Sequence, residues 1–245
     1  MPGELAAIIV AAGKSQRMGG ADKQLRAVAG IPVLARTVSA FEECADVGAI
    51  VLVLNPDNIA AAAEMKVEYG WHKVVVMVPG GERRMDSVRA GLEAVAKLHR
   101  HDRPYEWVAV HDGARPLVTP ELISRGLDAA REVGAAIAAV PATDTVKTVD
   151  AAGTVTGTLQ RGNVWLAQTP QIFRASLLKS AYDALEHSEE PVEVTDCARA
   201  VELMGHQVRV FKGDRANIKI TTPLDLWIAE AIIRSRELGI GAEGC

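Results

Sequence analysis

From end to end the chain alternates short unbroken apolar runs with longer stretches in which apolar and polar residues recur at helical spacing. The runs at 5–11, 49–54, 74–78, 107–110 and 135–140 are rich in Val, Ile and Ala and lack polar alternation. Strands read this way when helices cover both faces of their sheet. Between them, 32–43, 57–69, 86–99 and 119–133 read as helices. Pro32 falls in a first turn, Asn55-Pro56-Asp57 marks a strand-to-helix turn, and Thr119-Pro120 supplies an N-cap followed by Pro at the first helical position. Parallel strands joined by crossover helices define an α/β class.

The rhythm changes after Pro141. Residues 143–158 alternate Thr and Val around the turn cluster Asp150-Ala151-Ala152-Gly153, which predicts a β-hairpin. A lone two-stranded hairpin is marginally stable in water. An arm at about 142–164 is therefore expected to pack on a second copy of the chain, or else to fold back on its own domain. A short strand at 165–168, helices at 176–185 and 195–204, a strand at 207–211 and a last helix at 223–238 follow. Thr222, Pro223 and Asp225 suit the start of that helix. No linker divides the chain, so a single domain over 1–245 is expected.

Composition narrows the function more than the fold. A chain of 245 residues, 49% apolar and 24% charged, is an ordinary soluble globular protein. A net charge of -4 argues against coating nucleic acid, and 4% aromatic residues leave few stacking platforms for single strands. An anionic ligand must then be held by a local cluster of cations, which suits a small phosphorylated molecule. Cys44, Cys197 and Cys245 are odd in number and lack the spacing of zinc or disulfide frameworks, which predicts a reducing cytoplasm. The amino terminus has no basic region and the run 5–12 is far too short to cross a bilayer, so neither secretion nor membrane insertion is expected.

Candidate chemistry gathers where the apolar runs end. After the first run comes Ala11-Ala12-Gly13-Lys14-Ser15-Gln16-Arg17-Met18-Gly19, then Lys23-Gln24. Gly13-Lys14-Ser15 resembles the end of a P-loop, but the glycine needed five positions earlier is Ile8. The alternative is a glycine-lined anion nest with Lys14, Arg17 and Lys23 around it. After 74–78 come Gly80, Gly81 and Glu82, with Ser87 placed to read the polar edge of a base. Arg83 and Arg84 face either phosphate or solvent. After 107–110 come His111, Asp112, Gly113 and Arg115. Asp112 either holds Mg²⁺ or braces the turn through Arg115. A lone His111 is more often structural than a ligand.

These segments carry a resemblance. A-A-G-x-x-x-R-M with its Lys-Gln, Gly-Gly-Glu-Arg-Arg-x-x-Ser-Val, His-Asp-Gly-Ala-Arg-Pro, Asp144-Thr145-Val146-Lys147, Gln168-Thr169-Pro170-Gln171, Thr195-Asp196 and Asn217-Ile218-Lys219-Ile220-Thr221 occur in order. Together they resemble the 2-C-methyl-D-erythritol 4-phosphate cytidylyltransferase family, from Ile8 to about Ala231. The resemblance implies a Rossmann-like, three-layer nucleotidyltransferase fold with a mostly parallel sheet and a protruding arm that forms a homodimer. It also implies CTP and a small polyol phosphate as substrates, Mg²⁺ as cofactor, and pyrophosphate release on the non-mevalonate route to isoprenoids. Ala11, Ala12, Gly13, Gly81, Glu82 and Ser87 are then expected around the cytidine, and Arg17 and Lys23 on the triphosphate. Asp112, Arg115 and Thr145 are expected to hold the methylerythritol portion, Thr169 and Lys219 its phosphate, and Arg161 a neighbouring subunit's site. Arg17, Lys23, Lys219 and Arg161 form the expected catalytic set, and Asp112 the expected metal ligand.

Two positions depart from the family pattern. Glu82 stands where members often have Asp, and the acid Asp214 lies earlier than in some relatives, so it is left out of the expected site. The readings to be separated from the main one are transfer to another polyol phosphate, such as ribitol 5-phosphate, and nucleotide binding without turnover.

Overall fold

The computed structural model describes residues 3–13, 22–187 and 194–239. The chain opens with β1 (Leu5–Ala11), the small hairpin β2 (Ala27–Val28) and β3 (Ile31–Pro32), α1 (Val33–Glu43), β4 (Val47–Leu54), α2 (Ile59–Glu68) and β5 (Val74–Pro79). It continues through α3 (Arg84–Val95), a second small hairpin of β6 (His99–Arg100) and β7 (Arg103–Pro104), β8 (Trp107–Asp112), α4 (Pro120–Val133) and β9 (Ala135–Pro141). The arm strands β10 (Lys147–Val149) and β11 (Val155–Thr158) come next, then β12 (Trp165–Arg174), α5 (Ala175–Glu186), α6 (Cys197–Leu203), β13 (Arg209–Lys212) and α7 (Pro223–Glu237).

Seven strands form one sheet in the order β13-β9-β12-β8-β1-β4-β5. β1 lies parallel to β4 and β8, β4 to β5, and β13 to β9. The exception is β12, which is antiparallel to both neighbours. Residues 165–168 predict only its first part; the strand runs on to Arg174 through Thr169–Phe173, which are buried. The reversal explains the arm. β9 and β12 pair from Pro141↔Trp165 inward, so the residues between them form an excursion that turns the chain back on itself.

Alternation along β1 shows why the apolar runs carry no polar positions. Leu5, Ala7, Ile9 and Ala11 enter one core with α1 and α4, while Ala6 and Ile8 enter the other with α3, α5 and α6. Both faces are dry. Gly91 lets α3 lie close to that second face: a Cβ there would collide with Ile8 and come within 3.2 Å of Val53.

Helix boundaries follow local caps. Thr119 accepts from the Leu122 N–H at 3.3 Å and Gly134 ends α4 in the left-handed region at φ 90°. Thr222 and Asp225 make a reciprocal capping box at the start of α7. Two expectations shift. Pro32 precedes α1 as its N-cap residue, and the helix expected at 86–99 runs Arg84–Val95, closing in tighter turns in which the Lys97 N–H donates to the Ala94 carbonyl at 3.2 Å and the Leu98 N–H to the Val95 carbonyl at 2.9 Å, before the β6–β7 hairpin turns at His101 and Asp102. Among the described residues no helix is long and apolar enough to cross a membrane.

Candidate active site

The parallel register brings the carboxyl ends of three strands together, with Ala11 beside Leu54 and Val10 beside Asp112. In open α/β sheets this edge is where ligands bind. A cavity of ≈ 380 Å³ opens there. Val10, Ala12 and Gly13 form its floor, Gly81 to Arg84 and Ser87 one wall, Asp112 and Ala114 the other, and Lys23, Gln24 and Lys219 its rim.

The glycines of the first wall are required by close approach. A Cβ on Gly80 would collide with that of Ala12 and lie 2.7 Å from Ser87 Oγ, and one on Gly81 would collide with Asp86. Ser87 Oγ accepts from the Gly81 N–H at 3.2 Å, fixing the turn at the amino end of α3. Ala11 is placed differently from its expected role. Its side chain lies in the core beside Gly113 rather than in the cavity, because strand alternation turns only Val10 and Ala12 outward.

Charge at the cavity is strongly biased. Among the described residues Lys23, Arg84 and Lys219 line it with two carboxylates, Glu82 and Asp112, and Arg83 stands at its edge paired with Asp86, which gives a positively biased lining within an acidic chain. Asp112 is the hub. Its Oδ2 lies 3.0 Å from Lys219 Nζ and 3.5 Å from Arg115 Nε, and its Oδ1 lies 3.5 Å from Arg84 Nη2. Burial would raise its pKa, but Lys219, Arg84 and Arg115 outweigh burial and hold it well below the usual carboxylate range.

A brace of buried hydrogen bonds sets Lys219 at that hub. The Asp112 N–H donates to Thr169 Oγ1 at 3.1 Å, Asn217 Nδ2 to the Thr169 carbonyl at 2.8 Å, and Arg115 Nη1 to the Asn217 carbonyl at 2.7 Å. Gln168 Nε2 donates to the Asp214 carbonyl at 2.8 Å and its Oε1 accepts from the Asp214 N–H at 3.2 Å. The antiparallel insertion of β12 therefore positions the loop that carries Lys219. Asp214 joins this brace and also pairs with Arg236 at 3.3 Å.

The family model for 2-C-methyl-D-erythritol 4-phosphate cytidylyltransferase matches residues 5–235. The chain belongs to this family. A curated 2-C-methyl-D-erythritol 4-phosphate cytidylyltransferase of Dehalococcoides mccartyi strain CBDB1 is 45% identical over 231 residues, covering 94% of this chain and 96% of that protein. One from Geobacter metallireducens is 42% identical over 232 residues, covering 94% and 97%. Among solved structures, the 4-diphosphocytidyl-2C-methyl-D-erythritol synthase of Anaerococcus prevotii superposes with a TM-score of 0.79 at 31% identity, covering 94% of this chain and 96% of that one.

Several site residues expected from the family are not at the cavity. Thr145 and Arg161 are exposed on the arm, where Arg161 Nη1 donates to the Thr143 carbonyl at 3.2 Å. Thr169 and Arg115 lie one layer beneath the cavity as parts of the brace. Arg17, like Lys14, lies outside the described residues. Arg84 is the residue that the sequence left undecided. It lines the cavity and reaches Asp112, whereas Arg83 turns outward to Asp86 at 2.7 Å. The signal was helical spacing: Arg84 lies three residues before Ser87 and shares its face, as Arg83 does with Asp86.

The magnesium role expected of Asp112 does not fit this donor set. Both of its oxygens already accept from cations, and among the described residues no three His, Cys, Asp or Glu side chains cluster to hold a metal. Mg²⁺ takes oxygen ligands in octahedral array, and three cations around one carboxylate oppose a fourth.

His111 is structural. It is fully buried, packs its ring on Phe41 with centroids 5.0 Å apart, and burial pushes its pKa down to about 3. A histidine held neutral in the fold contributes stability above its unfolded pKa of ~6.5 and loses it as pH falls from there toward the folded value. Between pH 7 and pH 5 the wild type is expected to lose about 2 kcal/mol more stability than His111→Leu. Urea unfolding at the two pH values measures this, and equal losses would place the proton elsewhere.

Proposed function

We propose that this chain transfers a cytidylyl group from CTP to 2-C-methyl-D-erythritol 4-phosphate, giving 4-diphosphocytidyl-2-C-methyl-D-erythritol and pyrophosphate in isoprenoid biosynthesis. The observation that carries the proposal is the strand-end cavity, in which a glycine-walled turn faces a cation cluster organised by Asp112. The acceptor's phosphate oxygen attacks the α-phosphorus of CTP in line with the departing pyrophosphate. The new P–O bond forms as the α–β P–O bond breaks, and the leaving group takes the electron pair. The attacking oxygen is ionised near neutral pH, so neither a protein nucleophile nor a general base is needed.

The residues divide the work. Backbone at Ala12 and Gly13 and the Gly81–Glu82–Ser87 wall receive the nucleotide, while Arg17 and Lys23 neutralise its phosphates. Lys219, oriented by Asp112, receives the acceptor's phosphate, and Arg84 adds positive charge between the two halves. Thr169 and Arg115 act through the brace. Magnesium enters this proposal on the nucleotide's phosphates, with Asp112 left to the cations. A cytoplasmic setting suits the free thiols of Cys44 and Cys197.

Thr145 and Arg161 belong in this scheme to the arm of a second copy. Support comes from the apolar surface the arm and its base leave in water: Val149 and Val155 are each 57% exposed and Leu166 is 53% exposed. Val149→Asp combined with Val155→Asp is expected to convert a homodimer to monomer in sedimentation, with turnover falling in parallel. A monomeric wild type, or a monomeric variant with full turnover, would contradict this.

The test of the function is pyrophosphate release measured with each of four nucleoside triphosphates and with both methylerythritol and ribitol phosphates. Release confined to CTP with the methylerythritol acceptor is expected. CTP binding without any release would favour a non-catalytic protein, and preference for ribitol 5-phosphate would reassign the acceptor.

A further inference from the structure

We infer that Cys197 is a positioning residue for the transfer: its sulfur, backed by the Tyr182 hydroxyl, accepts a hydrogen bond from Arg84 and holds that guanidinium at the cavity, ready for the phosphates of the two substrates. The inference rests on the function proposed above and gives a role to two core residues which that scheme leaves without one. Arg84 opens α3, Tyr182 lies on α5 and Cys197 opens α6. Arg84 Nη1 donates to Cys197 Sγ at 3.5 Å, and Tyr182 Oη lies 3.3 Å from the same sulfur. Cys197 is wholly buried and Tyr182 is 2% exposed, within the core that α3, α5 and α6 share. On its other terminal nitrogen Arg84 meets Asp112 Oδ1 at 3.5 Å. The guanidinium is gripped from both sides while the side chain still lines the cavity.

The groups around the sulfur fix what it does. Burial pushes the Cys197 thiol up from its ordinary pKa, against the pull of Arg84, so the sulfur is neutral at pH 7. A neutral acceptor holds the guanidinium without cancelling its charge, and that charge remains for phosphate. The Tyr182 hydroxyl donates to the sulfur rather than accepting from it, because a buried O–H left unpaired costs more than an unpaired S–H, a weak donor. Sγ therefore accepts twice. Its place is set from β12 by Gln171, which is buried: Gln171 Oε1 accepts from the Cys197 N–H at 3.1 Å and Gln171 Nε2 donates to Asp196 Oδ2 at 2.8 Å. Asp196 in turn caps α6 by accepting from the Arg199 N–H at 2.9 Å. β12 steadies two members of the cation cluster, Lys219 through Thr169 and Asn217, and Arg84 through Gln171 and Cys197. A guanidinium carries more N–H donors than Cys197 and Asp112 take up, so it binds a phosphate without releasing either.

The experiment measures kcat, KM for each substrate and melting temperature in wild type, Cys197→Ala, Cys197→Ser, Arg84→Ala and the variant combining Arg84→Ala with Cys197→Ala. Without the sulfur Arg84 shifts, and a misplaced charge at the reacting centre acts on turnover. Cys197→Ala is expected to lower kcat by roughly tenfold, with KM for CTP and for the acceptor each changed by less than about threefold. Cys197→Ser keeps a neutral acceptor and is expected to retain kcat within about threefold of wild type. Arg84→Ala is expected to lose roughly a hundredfold, and in that background Cys197→Ala is expected to lower kcat by less than about twofold more, because the residue it acts through is gone. An unchanged kcat in Cys197→Ala, losses that multiply in the combined variant, or a serine as damaging as alanine would overturn the inference. So would a lowered melting temperature with kcat per folded molecule unmoved, which is the result a purely structural thiol predicts. Should Cys197→Ala not fold, Cys197→Val, which fills the space with apolar atoms, is held to the same outcomes. A wild type that releases no pyrophosphate with any acceptor overturns the functional reading and this inference with it; normal turnover with losses that multiply overturns this inference alone.

Discussion

Asp112→Ala is expected to destabilise the chain by about 3–5 kcal/mol at neutral pH, the range for removing one partner from a buried charge cluster. Arg84 and Arg115 are the reason. Their side chains are 26% and 10% exposed and both lean on this carboxylate, so its loss leaves two poorly hydrated guanidinium groups facing each other. Lys219, 39% exposed, recovers water more readily and adds less to the cost. Because Asp112 titrates below its ordinary range, its contribution is full above an unfolded pKa of ~3.9 and is lost as pH falls through the folded value. The difference between variant and wild type should therefore hold steady from pH 8 to pH 5 and close in stronger acid. Urea unfolding across that range measures both features. A variant within 1 kcal/mol of wild type at pH 7, where ~1 is the usual worth of an exposed pair, would show that the cluster is not the organising element.

That hub also marks the boundary of what the sequence could tell. The alternation of apolar runs with amphipathic stretches gave the α/β class, and strand-end glycines with cations gave the edge of the sheet where the cavity lies. Both signals are local, since periodicity and turn chemistry act over a few residues. The antiparallel course of β12 was hidden because burial on both faces makes Thr169–Phe173 look alike whichever way the strand runs. Its consequence was hidden with it. Only that insertion brings Thr169 under Asp112 and Asn217 under Arg115, so the brace that aims Lys219 depends on contacts between residues 48 to 102 positions apart. Asp112 itself was visible as a candidate, but a carboxylate at a strand end suits a metal or an ion pair equally well until its neighbours are known. The arm is the converse case. Its turn cluster made it legible from local residues alone, while the role proposed for Arg161 rests on a second copy of the chain, which local pattern does not encode.

Lys23→Ala is expected to lower kcat by about 10²–10³, or about 2.7–4 kcal/mol of transition-state stabilisation, while leaving the fold intact. Two anions must meet at one phosphorus atom, and charge on the leaving pyrophosphate grows as the bond breaks. A cation preset at the cavity rim counters that charge most strongly when it is fully developed, so the loss should fall on kcat more than on KM for CTP. Stability should be spared because the segment is held by the Asp22–Asn58 contact and by Leu34 and Val33 N–H groups donating to the carbonyls of Gln24 and Arg26. Lys219→Ala differs in a useful way. It also strips a partner from Asp112 at 3.0 Å, so it should lower stability at neutral pH, a loss that closes in strong acid as Asp112 takes up its proton, and raise KM for the acceptor. Steady-state kinetics of both variants, beside their melting temperatures, separates the roles. An unchanged kcat in Lys23→Ala would mean that positive charge at this rim does not act on the reacting phosphorus, and the electrostatic account of the site would have to be abandoned.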